Sequence, residues 1–371
     1  MVTLESGVGS TISSGGRTYL YFAGNDYLGL ANHPSLTREA QRAVKRYGVS
    51  VSASRITTGT TDIHIKLEED LAGFKRKRQA IIFASGYLGN KLLLDALSER
   101  YTAIFADSMS HPSISEGIPK GKIKVHIYDH CDTGHLESLL AKKSKGESKL
   151  IITDGIFALT GEIAPLDQLY ELALAHKAVI IVDDAHATGV LGSTGCGTPE
   201  HFNLQDEKNI YQSETMSKAL GSYGGFIAAE DELIDKIRSS SSFYGASTAL
   251  PPAIVAASRE SVKMIIHHPA RRTKMKKNAN HLRSGVIELG FETTETEAPI
   301  IPLFFNNLEK ASSLSAYLGE NGIIAPNVKY PVKTNSYIVR ATVSANHTTA
   351  QIDQFLNTLK NWRNTYGIRK N

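Results

Sequence analysis

Lys218 lies in the run Glu214-Thr-Met-Ser-Lys218-Ala-Leu-Gly221-Ser-Tyr-Gly224-Gly225, among small and hydroxylated residues. A surface lysine usually keeps polar company. An amine in such quiet surroundings can lose its proton, attack a carbonyl and form a Schiff base. Thr215, three residues earlier, offers a hydroxyl to a phosphate, and the glycines let backbone approach a flat ligand. Upstream, Lys177-Ala-Val-Ile-Ile-Val182 runs into Asp183, Asp184 and His186. The apolar run predicts a buried parallel strand whose carboxyl end carries the polar group, the edge at which open α/β sheets hold ligands. A carboxylate there can keep a heterocyclic nitrogen protonated, and an imidazole three residues on can reach the next polar atom of the same ring. Asp183 takes the first task and His186 the second. Asp184 is expected to cap the helix that follows.

The elements that must position these residues follow from the pattern. Ser35 to Tyr47 and Ile63 to Phe74 read as amphipathic helices. Ala80-Ile-Ile-Phe-Ala84 reads as a strand, and Ser85-Gly86-Tyr87 opens the next helix. A glycine at such a junction exposes backbone N–H groups at the positive helix end, a ready phosphate site. Ala103 to Ala106 and Leu150 to Asp154 are further strands, and Leu166, Leu169 and Leu172 mark the returning helix of a crossover unit. Long helices are expected over 253–290. Strands at 300–305 and 337–343 and a last helix through Ile352, Phe355 and Leu359 form a second domain. Arg340 sits there among apolar and β-branched neighbours, where a guanidinium needs an anion: a planar carboxylate or an internal salt bridge.

Val182-Asp-Asp-Ala-His186-Ala-Thr-Gly189 and Thr215-Met-Ser-Lys218-Ala-Leu-Gly221 resemble the signatures of the α-oxoamine synthases, pyridoxal-phosphate enzymes of fold type I. Further matches are Asn25-Asp-Tyr-Leu-Gly-Leu30, Gly59-Thr-Thr-Asp-Ile-His64, Ser85-Gly86-Tyr87, Ser110-His111-Pro-Ser113 and Leu250-Pro-Pro252. The resemblance implies an α/β fold with a large domain built on a mostly parallel seven-stranded sheet and a smaller C-terminal α+β domain. The expected boundaries are 1–34 for an arm and strand, 35–255 for the large domain and 256–371 for the small one. It also implies that Lys218 carries pyridoxal phosphate, with Asp183 at the ring nitrogen, His186 at the ring oxygen and His111 stacked on the ring face. Gly86, Tyr87 and Thr215 would hold the phosphate, and Ser247 and Thr248 would reach the phosphate of a neighbouring subunit in a homodimer. Asn25 would lie near the substrate, and Arg340 would clamp its carboxylate.

The implied reaction joins a small amino acid to an acyl thioester, carried by coenzyme A or a carrier protein, with loss of carbon dioxide. Thr248-Ala-Leu-Pro-Pro252 and Asp183-Asp-Ala-His186 lean towards alanine and a pimeloyl thioester. Asn327-Val-Lys-Tyr-Pro-Val332 looks closer to the glycine and acetyl type, the chain starts late for the first member, and a longer-chain sphingoid or secondary-metabolite type stays open. Ala158 stands where most members carry a serine. Two other classes are weighed: a non-catalytic partner subunit, which would lack the lysine, and an aminotransferase, which would release a keto acid.

The bulk composition bounds the rest. The 371 residues are 41% hydrophobic and 21% charged, ordinary for a globular protein able to bury a large core. A net charge of +4 is too small to argue for nucleic acid. Arg271-Arg-Thr-Lys-Met-Lys-Lys277 reads as a solvated helix face. Two unpaired cysteines, no membrane-length apolar run and no signal-peptide core make the cytoplasm the expected location. Residues 1–16, rich in Gly and Ser, read as a flexible arm. His126-Ile-Tyr-Asp-His130-Cys131-Asp-Thr-Gly-His135 fits no standard zinc spacing and is expected to be a polar loop without a metal. His64 is expected to serve the start of its helix.

Overall fold

The structure is a computed structural model that describes residues 2–121, 123–142, 147–328 and 336–366. The chain divides into two compact units. One comprises His33–Phe157 and Ile163–His267, the other Met1–Asn32, Ala158–Glu162 and His268–Asn371.

The larger unit is built on a seven-stranded sheet. Its strands run in the order Gln79–Phe83, Gly225–Ala229, Ile210–Thr215, Val179–Asp183, Lys149–Asp154, Ala103–Asp107, Lys124–Tyr128. The five strands from Ile210–Thr215 to Lys124–Tyr128 are parallel, and Gly225–Ala229 is antiparallel to both its neighbours. Successive side chains of a strand point to opposite faces, and both faces are buried here. Ile104, Ala106, Leu150, Ile152, Val179 and Ile181 belong to one core, with Leu92, Leu93 and Leu94 of the helix Gly89–Ala96. Ala103, Phe105, Ile151, Ile180 and Val182 belong to the other, with Leu136, Leu166 and Leu169. Each fully buried Ile, Val or Leu contributes about 1.5–3 kcal/mol relative to an exposed one. The alternation puts Asp183 on the face of Val179 and Ile181, which the helix Gly89–Ala96 covers.

The expected helices are present as Pro34–Tyr47 and Asp62–Lys75. His64 is fully buried. Its ring closes a capping box with Thr61, and its Nε2 lies 2.9 Å from the Leu250 carbonyl, so it serves the helix start as expected.

The smaller unit contains the antiparallel sheet Ile300–Phe305, Tyr337–Thr342 and Asn327–Val328. The helices Ala270–Glu288, Leu308–Glu320 and Thr349–Tyr366 supply its core, around the buried Trp362, Phe355 and Phe22. Two readings change here. Residues 1–16 are not simply a flexible arm: Thr11–Ser14 pairs with Arg17–Tyr21 as a hairpin, and Arg17–Tyr21 pairs in turn with Ile323–Ile324. Gly15 and Gly16, at φ 57° and 70°, make the two-residue turn that the glycine-rich composition disguised. Nor is Arg271–Lys277 a wholly solvated face. Arg272 and Met275 are buried, and Arg271 Nη1 donates to the Leu28 carbonyl at 3.0 Å. The reading of Tyr330-Pro331-Val332 lies outside the described residues. Among the described residues no helix is long and apolar enough to cross a membrane.

Candidate active site

At the carboxyl edge of the parallel strands lies a cavity of about 220 Å³. Gly86, Tyr87, His111, Asp183, His186, Thr215 and Lys218 all line it, so the sheet gathers these sequence-predicted residues from four separate segments. Ser247 and Thr248 do not. They line a separate recess beside Arg55 and Phe83, and Thr248 is exposed. Asn25 and Arg340 belong to the smaller unit, where Arg340 Nη2 donates to Asn25 Oδ1 at 3.2 Å and Nε donates to the Ala158 carbonyl at 2.7 Å. Among the described residues no carboxylate pairs with Arg340. The chain atom that meets it at 158 is a backbone oxygen, which the change from serine leaves in place.

The floor of the cavity is acidic. Asp183 ends its strand and pairs in register with Asp154, the end of the neighbouring strand. Asp183 Oδ2 accepts from Asn90 Nδ2 at 2.6 Å and from Ser113 Oγ at 3.2 Å, while Oδ1 accepts from the Ala185 N–H at 3.1 Å. Asp154 is buried, and burial, with the charge of Asp183 added, pushes its carboxyl well above the usual carboxylate range. His111 caps the helix Pro112–Gly117. Its N–H donates to Asp154 Oδ2 at 2.9 Å, and its ring meets Tyr87 edge-on at 5.8 Å. Burial lowers the His111 pKa; Asp183 opposes that shift and the Lys218 ammonium adds to it.

The wall opposite is backbone. Ser85 Oγ accepts from the Tyr87 N–H at 3.3 Å, starting a short turn over Gly86–Leu88 that leads into the helix Gly89–Ala96. A Cβ at Gly86 would meet Thr215 Cβ and Oγ1 at 2.7 Å, and one at Gly225 would meet Gly86 Cα at 2.7 Å. Only glycine fits this close approach. Thr215 Oγ1 donates to the Gly224 carbonyl at 3.0 Å and lies 2.7 Å from Ser217 Oγ, so its hydroxyl is held at the cavity wall. The helix-start N–H groups suit a phosphate, which the Thr215 hydroxyl would serve by turning its one proton from the Gly224 carbonyl, and the paired buried acids suit a protonated ring nitrogen. The residues present therefore fit pyridoxal phosphate.

Asn90, Ser113, Asp154 and Ser217 were not assigned a role from sequence. Asn90 had a readable signal: with Leu93, Leu94 and Leu97 it occupies one buried helical stripe, where a polar residue needs a reason. Asp184 serves the start of the next helix, as expected, although that helix does not follow it directly. Asp184 is fully buried on the opposite face and accepts from Thr198 N at 2.9 Å, Thr198 Oγ1 at 2.6 Å and Gln212 Nε2 at 2.6 Å. It thus holds the start of the short helix Thr198–His201, well along the chain. Beside it, buried Lys75 pairs with buried Glu214, whose Oε1 also accepts from Thr188 Oγ1 at 2.9 Å. Burial pushes Glu214 up to about 7, only partly offset by Lys75. Burial opposes the Lys75 charge, but Glu214 and Asp184 outweigh it and raise its pKa. The lysine is the firmer charge of the two, because two acids face it.

Asp107, His130 and Cys131 also come together. Asp107 Oδ1 lies 2.9 Å from His130 Nδ1, and Oδ2 accepts from the Cys131 N–H at 2.8 Å.

Comparison with known proteins agrees with the geometry. The class I and II aminotransferase family model matches residues 17–359. The chain is 39% identical to the 8-amino-7-oxononanoate synthase of Lysinibacillus sphaericus, over 98% of this chain and 94% of that protein. It is 38% identical to that of Thermoanaerobacter pseudethanolicus, over 96% and 90%. Among solved structures it is similar to a serine palmitoyltransferase from S. paucimobilis with pyridoxal phosphate bound, at a TM-score of 0.94 and 25% identity, covering 100% of this chain and 94% of that one. It is also similar to the 8-amino-7-oxononanoate synthase of Francisella tularensis, at 0.81 and 27%, covering 94% and 99%. The chain belongs to the class I and II aminotransferase family and, within it, to the pyridoxal-phosphate-dependent α-oxoamine synthases.

Proposed function

We propose that the chain is an 8-amino-7-oxononanoate synthase, joining alanine to a pimeloyl thioester with loss of carbon dioxide, in biotin biosynthesis. The observation that carries this reading is Lys218 and Asp183 lining one cavity in a chain 39% identical, over nearly its full length, to a protein of that name. Pyridoxal phosphate supplies the electron sink that lets a bond at the amino acid's α-carbon break.

The chain's own residues supply placement and charge. Lys218 would hold the cofactor through its amine, and its Nζ is the group available to move a proton at the α-carbon. Asp183 would meet the ring nitrogen, His186 the ring oxygen and His111 the ring face. The N–H groups around Gly86 and Tyr87, with the Thr215 hydroxyl, would hold the phosphate. Arg340, which Asn25 and the Ala158 carbonyl steady within the smaller unit, would take the amino-acid carboxylate. Ser247 and Thr248 lie away from this chain's cavity, which supports their service to a second copy in a cytoplasmic homodimer.

A serine palmitoyltransferase-like synthase with a longer acyl chain is the second reading, favoured by the TM-score of 0.94 against 0.81. Backbone likeness reports the fold, whereas the identity of 39% against 25% reports the residues, so the first reading stands ahead. Carboxyl-labelled alanine, glycine and serine, each offered with pimeloyl, acetyl and palmitoyl thioesters, test both. Labelled carbon dioxide from alanine with pimeloyl thioester alone is expected. Release from serine with palmitoyl thioester selects the second reading, and a labelled keto acid in place of carbon dioxide overturns both. The purified protein should carry a visible absorption band that Lys218→Ala abolishes.

A further inference from the structure

Asn90 is fully buried on the helix that covers the Asp183 face of the sheet. Its Nδ2 donates to Asp183 Oδ2 at 2.6 Å and to Ser113 Oγ at 2.9 Å, which uses both amide hydrogens. Among the described residues its Oδ1 finds no hydrogen-bond partner. Turning the amide over would set that oxygen against a carboxylate, so the orientation is fixed by charge. A residue present only to fill space would not leave a buried carbonyl unsatisfied, because that costs stability.

Ser113, also buried, lies 3.2 Å from the same Asp183 oxygen and 2.8 Å from His111 Nδ1. Asp183 Oδ2 thus accepts from Asn90 and, when the Ser113 hydroxyl turns to it, from Ser113 as well. Among the described residues Oδ1 accepts from the Ala185 N–H, which leaves one lone pair for a single N–H donor at the cavity.

We propose that Asn90 and Ser113 are positioning residues for Asp183, filling one of its oxygens so that the other holds the proton on the cofactor's ring nitrogen, with Ser113 coupling His111 to that bond. The inference rests on the pyridoxal-phosphate reading of the cavity and goes beyond it by naming what sets the acid's geometry.

The coupling follows from proton counting. Ser113 Oγ accepts from Asn90 and has one proton to give, either to His111 Nδ1 or to Asp183 Oδ2. His111 Nδ1 already accepts from the Ser113 N–H at 3.2 Å, so it carries no proton in this arrangement. When it gains one, the hydroxyl must turn to Asp183. The other groups facing this set are Asp154 on the neighbouring strand, Lys218, His186 and, on the helix of Ser113, Glu116. Burial, with the charge of Asp183 added, holds the Asp154 carboxyl well above the usual carboxylate range.

The test uses full-length protein loaded with pyridoxal phosphate labelled with ¹⁵N in the ring, whose nitrogen resonance reports directly whether the proton is present. Wild type should hold the ring proton through neutral pH. Asn90→Leu and Ser113→Ala should each lower the midpoint of its loss by about one pH unit, a tenfold change in the equilibrium. Ser113→Thr, which keeps the hydroxyl, should restore it. The idea is overturned if both substitutions leave the midpoint where it was, or if Ser113→Thr behaves like Ser113→Ala. Should Asn90→Leu fail to fold, the two Ser113 variants decide alone. A wild-type protein that takes up no pyridoxal phosphate sinks the underlying reading of the cavity; normal uptake with unmoved variants sinks only this inference.

Discussion

Asp183 and Asp184 are consecutive, both buried, and each carboxylate accepts three hydrogen bonds. Neither burial nor hydrogen-bond count separates them. Space does. Asp183 borders a cavity of about 220 Å³. Asp184 is closely packed instead: a Cβ at Gly197 would meet its Oδ2 at 1.9 Å, and one at Gly155 its Oδ1 at 2.2 Å. The strand sends alternate side chains to opposite faces, so one step along the chain moves an acid from a site that can take a ligand to a closed polar cluster. A buried acid points to function when its surroundings leave room for something else to bond it.

The largest expected effect is in the closed cluster. Lys75→Met leaves Glu214 buried without its cation and should cost about 3–5 kcal/mol, seen in denaturant unfolding. The double substitution Lys75→Met with Glu214→Leu should recover part of that, since Glu214 is then no longer stranded and only Asp184 is left without the cation. If the double variant is no better than the single one, the cluster's cost is one of packing. Next comes the pair of acids themselves. Asp183→Asn should keep the fold and slow turnover about a hundredfold or more. Asp184→Asn should cost about 1–3 kcal/mol of stability, because one accepting oxygen becomes a donor facing donors, with turnover of the folded fraction nearly unchanged. A stable but inactive Asp184→Asn would erase the distinction between the two faces.

The smallest expected signal is a cancellation in the other unit. Burial lowers His347 to about 4 and raises Asp26 to about 6. The histidine's folded pKa is depressed, so its contribution is complete above 6.5 and is lost as pH falls towards 4. The acid's folded pKa is raised, so its contribution is complete below 3.8 and is lost as pH rises towards 6. Each is worth about 3 kcal/mol at full extent, and between those limits the slopes oppose. The two contributions should nearly cancel there. Relative to wild type, Asp26→Asn should tilt stability upward with pH and His347→Asn should tilt it downward, read by urea midpoints at several pH values.

The sheet and most of the cavity were legible because hydrophobic period announces local structure, and a polar group at the end of an apolar run announces an edge. What stayed hidden were partnerships with no period. Thr198 and Gln212 bond Asp184 from distant stretches, and Lys75 looks like any base in the last turn of a helix. Asn90 was passed over because the leucines around it account for the helix without it. The hairpin at Thr11–Tyr21 was missed because its two turn glycines look, in composition, like a linker.

The strand Val179–Asp183 is apolar on both faces until its last residue. Greasy alternation therefore does little to fix its alignment with its neighbours, and sliding it by one residue would exchange the two acids. The bonds from Asp184 to Thr198 and Gln212 exist in one alignment only. The closed cluster thus acts as a ratchet tooth for the sheet: the carboxylate that never meets a ligand ensures that its neighbour always does.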